Sequence, residues 1–220
     1  MGMRPVRLCT VMGIGIGIVA LALAGCLSLP RDEQQTQTFF LSLDRSAGGA
    51  SIPDVKPKAG ILVVNVPVAQ PGFDTQRMAY MQRPYEVRYY AIHQWADSPA
   101  RMVTPLLIQV LEQTGLWRAI VPMPTSVRGD HRVEIDQLEL VQTFLQKPSQ
   151  VRLALRVQVI KLPEYLVLGT RLFDVVEGTS TDDAYGGAVA ANRAADKLLG
   201  EVAGWLSGCV SGSQESGCSR

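Results

Sequence analysis

Few side chains in this sequence could carry reactive chemistry. It has two histidines, His93 and His131, and either could be drawn on paper into a Ser-His-Asp set with Asp97 or Asp136. No serine, however, lies in the Gly-x-Ser-x-Gly turn that presents a nucleophile. No group of His, Cys, Asp and Glu has the spacing of a metal site either. The residues therefore predict no catalytic set, metal or cofactor, and they favour a binding or assembly protein over an enzyme.

Cys26 is the residue with the clearest predicted chemistry. It follows Leu23-Ala24-Gly25 and an apolar run over residues 8–24, which is itself preceded by two arginines. This order of positive charge, apolar run and small residues is typical of a secretory signal peptide. Leu-Ala-Gly-Cys also resembles the lipobox of bacterial lipoproteins, in which cleavage occurs just before a cysteine whose thiol is acylated. We therefore predict a signal peptide over residues 1–25 and a lipid on Cys26.

A transmembrane anchor with a chance cysteine is the alternative for the leader, but the run is short and its glycines weaken a permanent helix. Removal of the first 25 of the 220 residues leaves 195, enough for one good-sized domain or two small ones. Two arginines are removed with the leader, so the mature chain has 19 basic and 20 acidic residues. A net charge near −1 provides no general field that would attract nucleic acid.

Two further cysteines, Cys209 and Cys218, lie in a Ser/Gly-rich tail over residues 208–220. An exported chain meets an oxidising compartment, which favours a disulfide between them. Two free or mispaired thiols are the alternative. At the other end, residues 26–37 are mostly polar and carry no periodicity, so we expect a lipidated flexible tether. The folded domain is then predicted over residues 38–207.

The predicted domain contains two helices. Ser98-Pro99 provides a helix N-cap and a proline at the first helical position. Apolar residues at helical spacing follow, and Gly115 suits the left-handed residue at the helix end. A second helix, at residues 183–207, carries one apolar stripe that we expect to pack on a sheet. The stripe consists of Ala188, Ala191, Ala195, Leu198, Val202 and Trp205.

The remaining periodic segments predict strands. Residues 60–68 are apolar on both faces, which is typical of a strand in the middle of a sheet. Residues 151–160 alternate with period two, and we expect residues 131–145 and 166–177 to pair with them as an antiparallel meander. Shorter strands are predicted at residues 38–43, 77–82, 85–92 and 117–121. The predicted fold class is α+β, with a mostly antiparallel sheet and two main helices packed on one face.

Two blocks in the middle of the chain resemble a known family. Residues 71–80, with Pro71-Gly72-Phe73-Asp74, are followed by residues 89–99, with Tyr89-Tyr90, Trp95-Ala96-Asp97-Ser98-Pro99 and then the apolar helix. Together with the lipobox and the order of elements, these blocks are similar to the ABC-type transport auxiliary lipoprotein family. The resemblance covers roughly residues 38–207. The chain departs from the family pattern where Thr75-Gln76 separates Asp74 from Arg77.

The resemblance implies a role beside an ABC permease, its ATPase and a periplasmic MCE-domain protein. Such systems move phospholipids or other hydrophobic molecules between the two membranes of Gram-negative cells. The auxiliary lipoprotein would dock the MCE protein or receive its lipid cargo. It could also form a homo-oligomer. It would be lipid-anchored on the periplasmic face of the outer membrane. Leu27 agrees, because an aspartate after the cysteine commonly retains such lipoproteins in the inner membrane.

Exposed aromatics around the junction between strand and helix would form the contact surface, because aromatics and arginine dominate binding hot spots. The expected partner-binding residues are Tyr85, Arg88, Tyr89, Tyr90 and Trp95. For Tyr90 and Trp95, packing in the core or at the helix cap is the alternative. Two other classes compete for the whole protein. One is an outer-membrane assembly lipoprotein, a pilotin or chaperone for a secretin or β-barrel; the other is a tethered hydrolase, which lacks a recognisable catalytic set.

Overall fold

A computed structural model describes Gly2, residues 35–43, residues 59–210 and Cys218. The chain divides into two units, residues 1–35 and residues 36–220. All of the described helices and strands belong to the second unit. The predicted signal peptide, Cys26 and most of the predicted tether lie outside the described residues.

Eight strands and two helices follow one another in the part of the chain that the structure describes. The strands are β1 Gln37–Phe39, β2 Ala59–Val64, β3 Arg77–Arg83, β4 Glu86–Trp95, β5 Trp117–Pro122, β6 His131–Thr143, β7 Gln150–Lys161 and β8 Leu166–Gly178. The helices are α1 Pro99–Gln113, between β4 and β5, and α2 Ala184–Val210, after β8. Each predicted element is present, and α2 continues past the predicted end at Ser207.

All eight strands form one sheet, and β6 is its branch point. One edge of β6 pairs along its length with β7, which in turn pairs with β8. The other edge pairs first with β2 at residues 131–133 and then with β3 at residues 142–143. Strands β5 and β4 extend these two branches, and β1 adds to β4.

The α+β class is confirmed, but the prediction of a mostly antiparallel sheet is wrong. Antiparallel pairing joins the neighbours β3–β4, β6–β7 and β7–β8, whereas β1–β4, β2–β5, β2–β6 and β3–β6 are parallel. Strands that follow each other directly can pair through a short connection, and this favours the antiparallel arrangement. The parallel pairs join segments that are distant in the chain, so the local pattern does not reveal them. The sheet is therefore mixed.

Strand β6 carries a bulge that local periodicity does not show. Its pairing with β7 shifts between Asp136 and Glu139, and Gln137 has a left-handed φ of 54°. An extra residue at a bulge moves the following side chains to the other face of the strand. Accordingly, the buried positions change phase along the strand, from Val133 and Ile135 to Leu138, Leu140 and Gln142.

Both helices contribute to the same buried core. The predicted stripe of α2 is buried along its length, and α2 packs on β7 and β8 as well as on α1. Trp205 meets Phe173 of β8 with a ring separation of 5.8 Å. At the end of α1, Gly115 takes the predicted left-handed φ of 62°. Among the described helices, none is long and apolar enough to cross a membrane.

Candidate functional site

The β3–β4 hairpin (residues 77–95) carries most of the residues predicted to bind a partner. Its strands are joined by Pro84-Tyr85, with Arg83 paired to Glu86 on either side. Proline followed by a positive φ is the pattern of a type II turn, and Tyr85 has a φ of 66°. A bulky residue is uncommon in this conformation, and the Tyr85 side chain is fully exposed at 104%. The hairpin therefore presents Tyr85 at its tip.

Arg88 lies on the same exposed part of the hairpin. Its Nε donates a hydrogen bond of 2.7 Å to Oε1 of Glu86, and its guanidinium also reaches Gln82 at 3.5 Å. The hydrogen bond and the charge of Glu86 raise the pKa of Arg88, which is charged at any physiological pH. The pair holds the guanidinium in place at the surface, where it remains accessible to a partner.

Tyr89 attaches the hairpin to the loop before it. Its hydroxyl donates a hydrogen bond of 2.8 Å to the carbonyl oxygen of Gly72, which has a φ of 90°. The Arg77 guanidinium lies 3.9 Å from the centre of the Tyr89 ring, a cation–π contact. Phe73, from the same loop, packs in a small cluster with Ala79 on this face of the sheet. Tyr89 is half-buried, and its hydrogen bond to Gly72 fixes this loop against the hairpin.

Tyr90 points to the other face of β4, towards the main core. Its hydroxyl donates a hydrogen bond of 3.0 Å to Oε1 of Gln142, and its ring lies 4.9 Å from that of Tyr80. Burial raises the pKa of Tyr90 to about 12, and the negative charge of Asp183 adds to the effect. The phenol is therefore neutral and acts as a hydrogen-bond donor inside the fold.

Trp95, at the end of β4, is a core residue. Its side chain is 4% exposed, and its backbone pairs in register with Phe39 of β1. Of the five residues predicted to bind a partner, the structure thus exposes Tyr85 and Arg88 together. It places Tyr89 and Tyr90 in internal contacts on opposite faces, and it buries Trp95.

Gln142 is the centre of a buried polar cluster that the sequence pattern did not reveal. It is 4% exposed, and its Nε2 donates to Ser149 Oγ at 3.0 Å and to the carbonyl oxygen of Asp183 at 3.1 Å. Ser149 is fully buried and shares a 2.7 Å hydrogen bond with Thr179. Buried polar groups need such partners. The available signal was a glutamine in line with the apolar residues Leu138 and Leu140, which the bulge in β6 concealed.

The two acids before α2 have different partners. Asp183 Oδ1 accepts a hydrogen bond of 2.7 Å from the Gly186 amide, as an N-cap does. Asp182 Oδ1 accepts one of 2.7 Å from the Ser149 amide, and this bond lowers the pKa of Asp182. A Cβ on Gly187 would lie 2.3 Å from Gln142 Oε1. The Gly186-Gly187 pair is therefore a packing requirement of this junction.

The two histidines lie apart, each among aromatic rings. His93 lies 6.0 Å from Tyr90 and 6.1 Å from Phe39. His131 meets Trp117 at 5.5 Å, and burial lowers its pKa. Within the described residues, neither imidazole hydrogen bonds to a serine or a carboxylate, and no group of His, Cys, Asp and Glu could hold a metal ion.

Cys209 and Cys218 are joined by a disulfide, with an S–S distance of 2.06 Å. The bond connects the last turn of α2 to the C-terminal tail. Cys218 lies against Gly169 of β8, where a Cβ would be 3.0 Å from the Cys218 carbonyl oxygen. The glycine therefore leaves room for Cys218 beside β8.

Comparison with known proteins defines the class. The family model described as the ABC-type transport auxiliary lipoprotein component matches residues 41–203. The chain belongs to this family, as its sequence motifs had suggested. It is therefore an auxiliary component associated with an ABC transport system, in a family of lipoproteins that is not a known enzyme family. No curated protein matches the chain.

Solved structures share the fold. Protein XCC0632 from Xanthomonas campestris superposes with a TM-score of 0.69 at 20% identity, over 82% of this chain and 98% of that one. An uncharacterised protein superposes with a TM-score of 0.55 at 11% identity, over 77% of this chain and 97% of that one. At these identities the likeness concerns the fold alone.

Proposed function

We propose that this chain is the membrane-anchored docking subunit of an ABC transport system whose periplasmic partner is an MCE-domain protein. The system would move phospholipids or other hydrophobic molecules between the membranes of a Gram-negative cell. Membership of the transport auxiliary family carries the proposal. The leader and Cys26 supply the anchor, on the periplasmic face of the outer membrane.

Docking takes place at the tip of the β3–β4 hairpin. An exposed tyrosine beside an exposed arginine is the composition that binding hot spots favour. Both side chains are also presented by a fixed scaffold, because Tyr89 and Tyr90 attach the two faces of β4 to the loop at Gly72 and to Gln142. A preformed surface loses little conformational entropy on binding. Tyr89, Tyr90 and Trp95 contribute by holding this surface.

Capture of the MCE-domain protein by the full lipoprotein tests the docking surface. The test variant is Tyr85→Asn with Arg88→Gln, since asparagine tolerates the left-handed backbone better than most residues. Tyr165→Asn is the matched control, because Tyr165 is also exposed, at 68%, with a φ of 58°. We expect the double variant to lose capture at least tenfold, as removal of two hot-spot residues would. Equal capture by the double variant and the control would remove the hairpin tip from the docking surface.

A further inference from the structure

A groove on the side of the sheet away from the main core has no assigned role. Its floor is formed by Val63 of β2 and Arg132 of β6, which pair in register. One wall is the β5–β6 loop at residues 123–129, and the other is the β7–β8 connection at residues 162–165. The groove has a volume of about 430 Å³. This is within the size range of small-molecule sites, roughly 300–1,000 Å³.

Backbone contacts hold both walls against the sheet. The Met123 amide donates to the carbonyl oxygen of Val64 at 2.9 Å, and the Leu162 amide donates to that of Asp130 at 2.8 Å. A Cβ on Gly129 would lie 2.6 Å from Val63 Cγ2, so the glycine lets the loop approach the floor. The groove is therefore formed by the fold itself.

Six of the ten residues that line the groove are apolar. Met123, Val127 and Tyr165 are 38%, 44% and 68% exposed, and they face the groove together with Val63, Leu162 and Pro163. Such a cluster of exposed apolar side chains commonly marks a binding site. The backbone of Tyr165 is in the left-handed region, with a φ of 58°. The ligand must therefore offer an apolar surface.

Two arginines, and no acid, line the same groove. Within the described part of the chain, Arg128 pairs with no carboxylate or carbonyl group. The Arg132 Nε lies 3.0 Å from Glu134 Oε1 as an ion pair without hydrogen-bond geometry, and the guanidinium carbon lies 5.7 Å from the centre of the Tyr165 ring. Its two terminal nitrogens donate to no described residue. Both guanidinium groups can therefore receive an anion, and arginine binds carboxylate and phosphate well.

Two of the carboxylates near the groove pair with cations outside it, and Glu134 pairs with Arg132 itself. Asp130 accepts a hydrogen bond of 2.6 Å from the Ile61 amide and lies 3.7 Å from Arg118. Glu164 lies 3.7 Å from Lys161. With these three pairs counted, the excess positive charge at the groove comes from Arg128.

We propose that this groove binds an amphiphile with one apolar chain and an anionic carboxylate or phosphate head. The chain lies along Met123, Val127 and Tyr165, and the head pairs with Arg128 and Arg132. The residues differ from those of the proposed docking hairpin, so either assignment can fail without the other.

Photolabelling of the acylated full-length lipoprotein in phosphatidylcholine vesicles tests the groove. The probes are a long-chain fatty acid, a lysophosphatidic acid and a fatty alcohol, each with the same diazirine-bearing chain. We expect both anionic probes, or one of them, to label peptides that contain residues 123–132 and 162–165. The alcohol should label them weakly. Labelling by one anionic probe alone identifies the head as a carboxylate or a phosphate.

Matched arginine variants connect the label to the charge. Arg128→Gln with Arg132→Gln should reduce anionic labelling of these peptides about tenfold or more, the loss expected when charged hydrogen bonds are removed. Arg118→Gln is the control, because Arg118 pairs with Asp130 outside the groove. Val127→Asp, at an exposed position, should also abolish anionic labelling, and circular dichroism verifies that each variant is folded. Equal labelling by the alcohol, labelling elsewhere, no labelling, or indifference to the arginine variants would overturn the proposal.

Discussion

The phenol of Tyr90 donates a 3.0 Å hydrogen bond to Oε1 of Gln142, and this contact joins the β3–β4 hairpin to the buried start of α2. The amide nitrogen of Gln142 continues the connection to Ser149 and to the Asp183 carbonyl group. A satisfied buried network of this kind rigidifies the elements that it joins. The hairpin tip that we propose for docking is therefore attached to the core by a polar junction.

Gln142→Ala should be strongly destabilising. It leaves the Tyr90 hydroxyl without its acceptor, and an unsatisfied buried group costs about 1–3 kcal/mol. It also removes two hydrogen bonds, one to Ser149 and one to the Asp183 carbonyl group, which keeps its bond from the Gly187 amide. We expect a loss of about 2–4 kcal/mol in the free energy of unfolding, measured by urea denaturation with the disulfide intact. Gln158→Ala is the control, since Gln158 donates only to Thr170 at the exposed surface. Similar losses for both variants would show that the network contributes little.

Two glycines of α2 should respond in opposite directions to alanine. Gly187→Ala places a Cβ 2.3 Å from Gln142 Oε1, so we expect a destabilisation of about 1–3 kcal/mol from overpacking. Gly200 has open space around it, so Gly200→Ala should stabilise by about 0.5–1 kcal/mol through helix propensity. Thermal unfolding of the two variants measures this contrast.

The clash at Gly187 can be separated from a general helix effect by a double-mutant cycle. Adding Gln142→Ala removes the atom that the new Cβ would meet. The double variant should therefore be destabilised by less than the sum of the two single variants. Full additivity would mean that Gly187 is required for another reason.

The raised pKa of Tyr90 predicts how the free energy of unfolding changes at high pH. Its folded pKa of about 12 lies above the ordinary value of 10.0, so the folded state keeps a proton that the unfolded state loses. The stabilisation by the neutral phenol is full below pH 10 and is lost as the pH rises towards 12. Tyr90→Phe should therefore lose less stability between pH 10 and 12 than the wild type. The same slope in both proteins would contradict this assignment.

Much of the fold could be predicted from local patterns. Helix α1 begins at Pro99 and ends before Gly115, as the adjacent residues predict, but the Ser98 hydroxyl makes no capping hydrogen bond. Residues 60–68 were expected in the middle of a sheet, and β2 indeed pairs with both β5 and β6. The meander around β7 follows from its alternation. These features depend on near neighbours, so the sequence alone specifies them.

The features that escaped prediction depend on distant contacts. The parallel pairing of β3 with β6 joins residues that are far apart in the chain. The bulge at Gln137 changes which side chains of β6 face inward, and it thereby conceals Gln142 as an interior residue. Tyr89, Tyr90 and Trp95 share a composition that is typical of binding surfaces, and only the tertiary contacts distinguish them from Tyr85 and Arg88.

The proposed lipid anchor at Cys26 predicts different acylation of Cys26 and of Cys9, which lies in the predicted leader. Cells supplied with labelled palmitate should incorporate it into the wild type and into Cys9→Ser, but not into Cys26→Ser. Without its acyl chains the mature domain should leave the membrane fraction, because about 0.8 kcal/mol of binding is lost per buried methylene. Label on Cys26→Ser would contradict acylation at Cys26, and an unlabelled Cys26→Ser that stayed in the membrane fraction would make the apolar run a transmembrane anchor instead.

Photocrosslinking in intact cells tests the central proposal most directly. A photoreactive amino acid replaces Tyr85 in one strain and Tyr165 in another, two exposed positions with the same left-handed backbone. Docking at the hairpin predicts an adduct between position 85 and the MCE-domain protein, and no such adduct from position 165. An adduct with a secretin or a β-barrel protein from position 85, or no adduct there at all, would contradict the account.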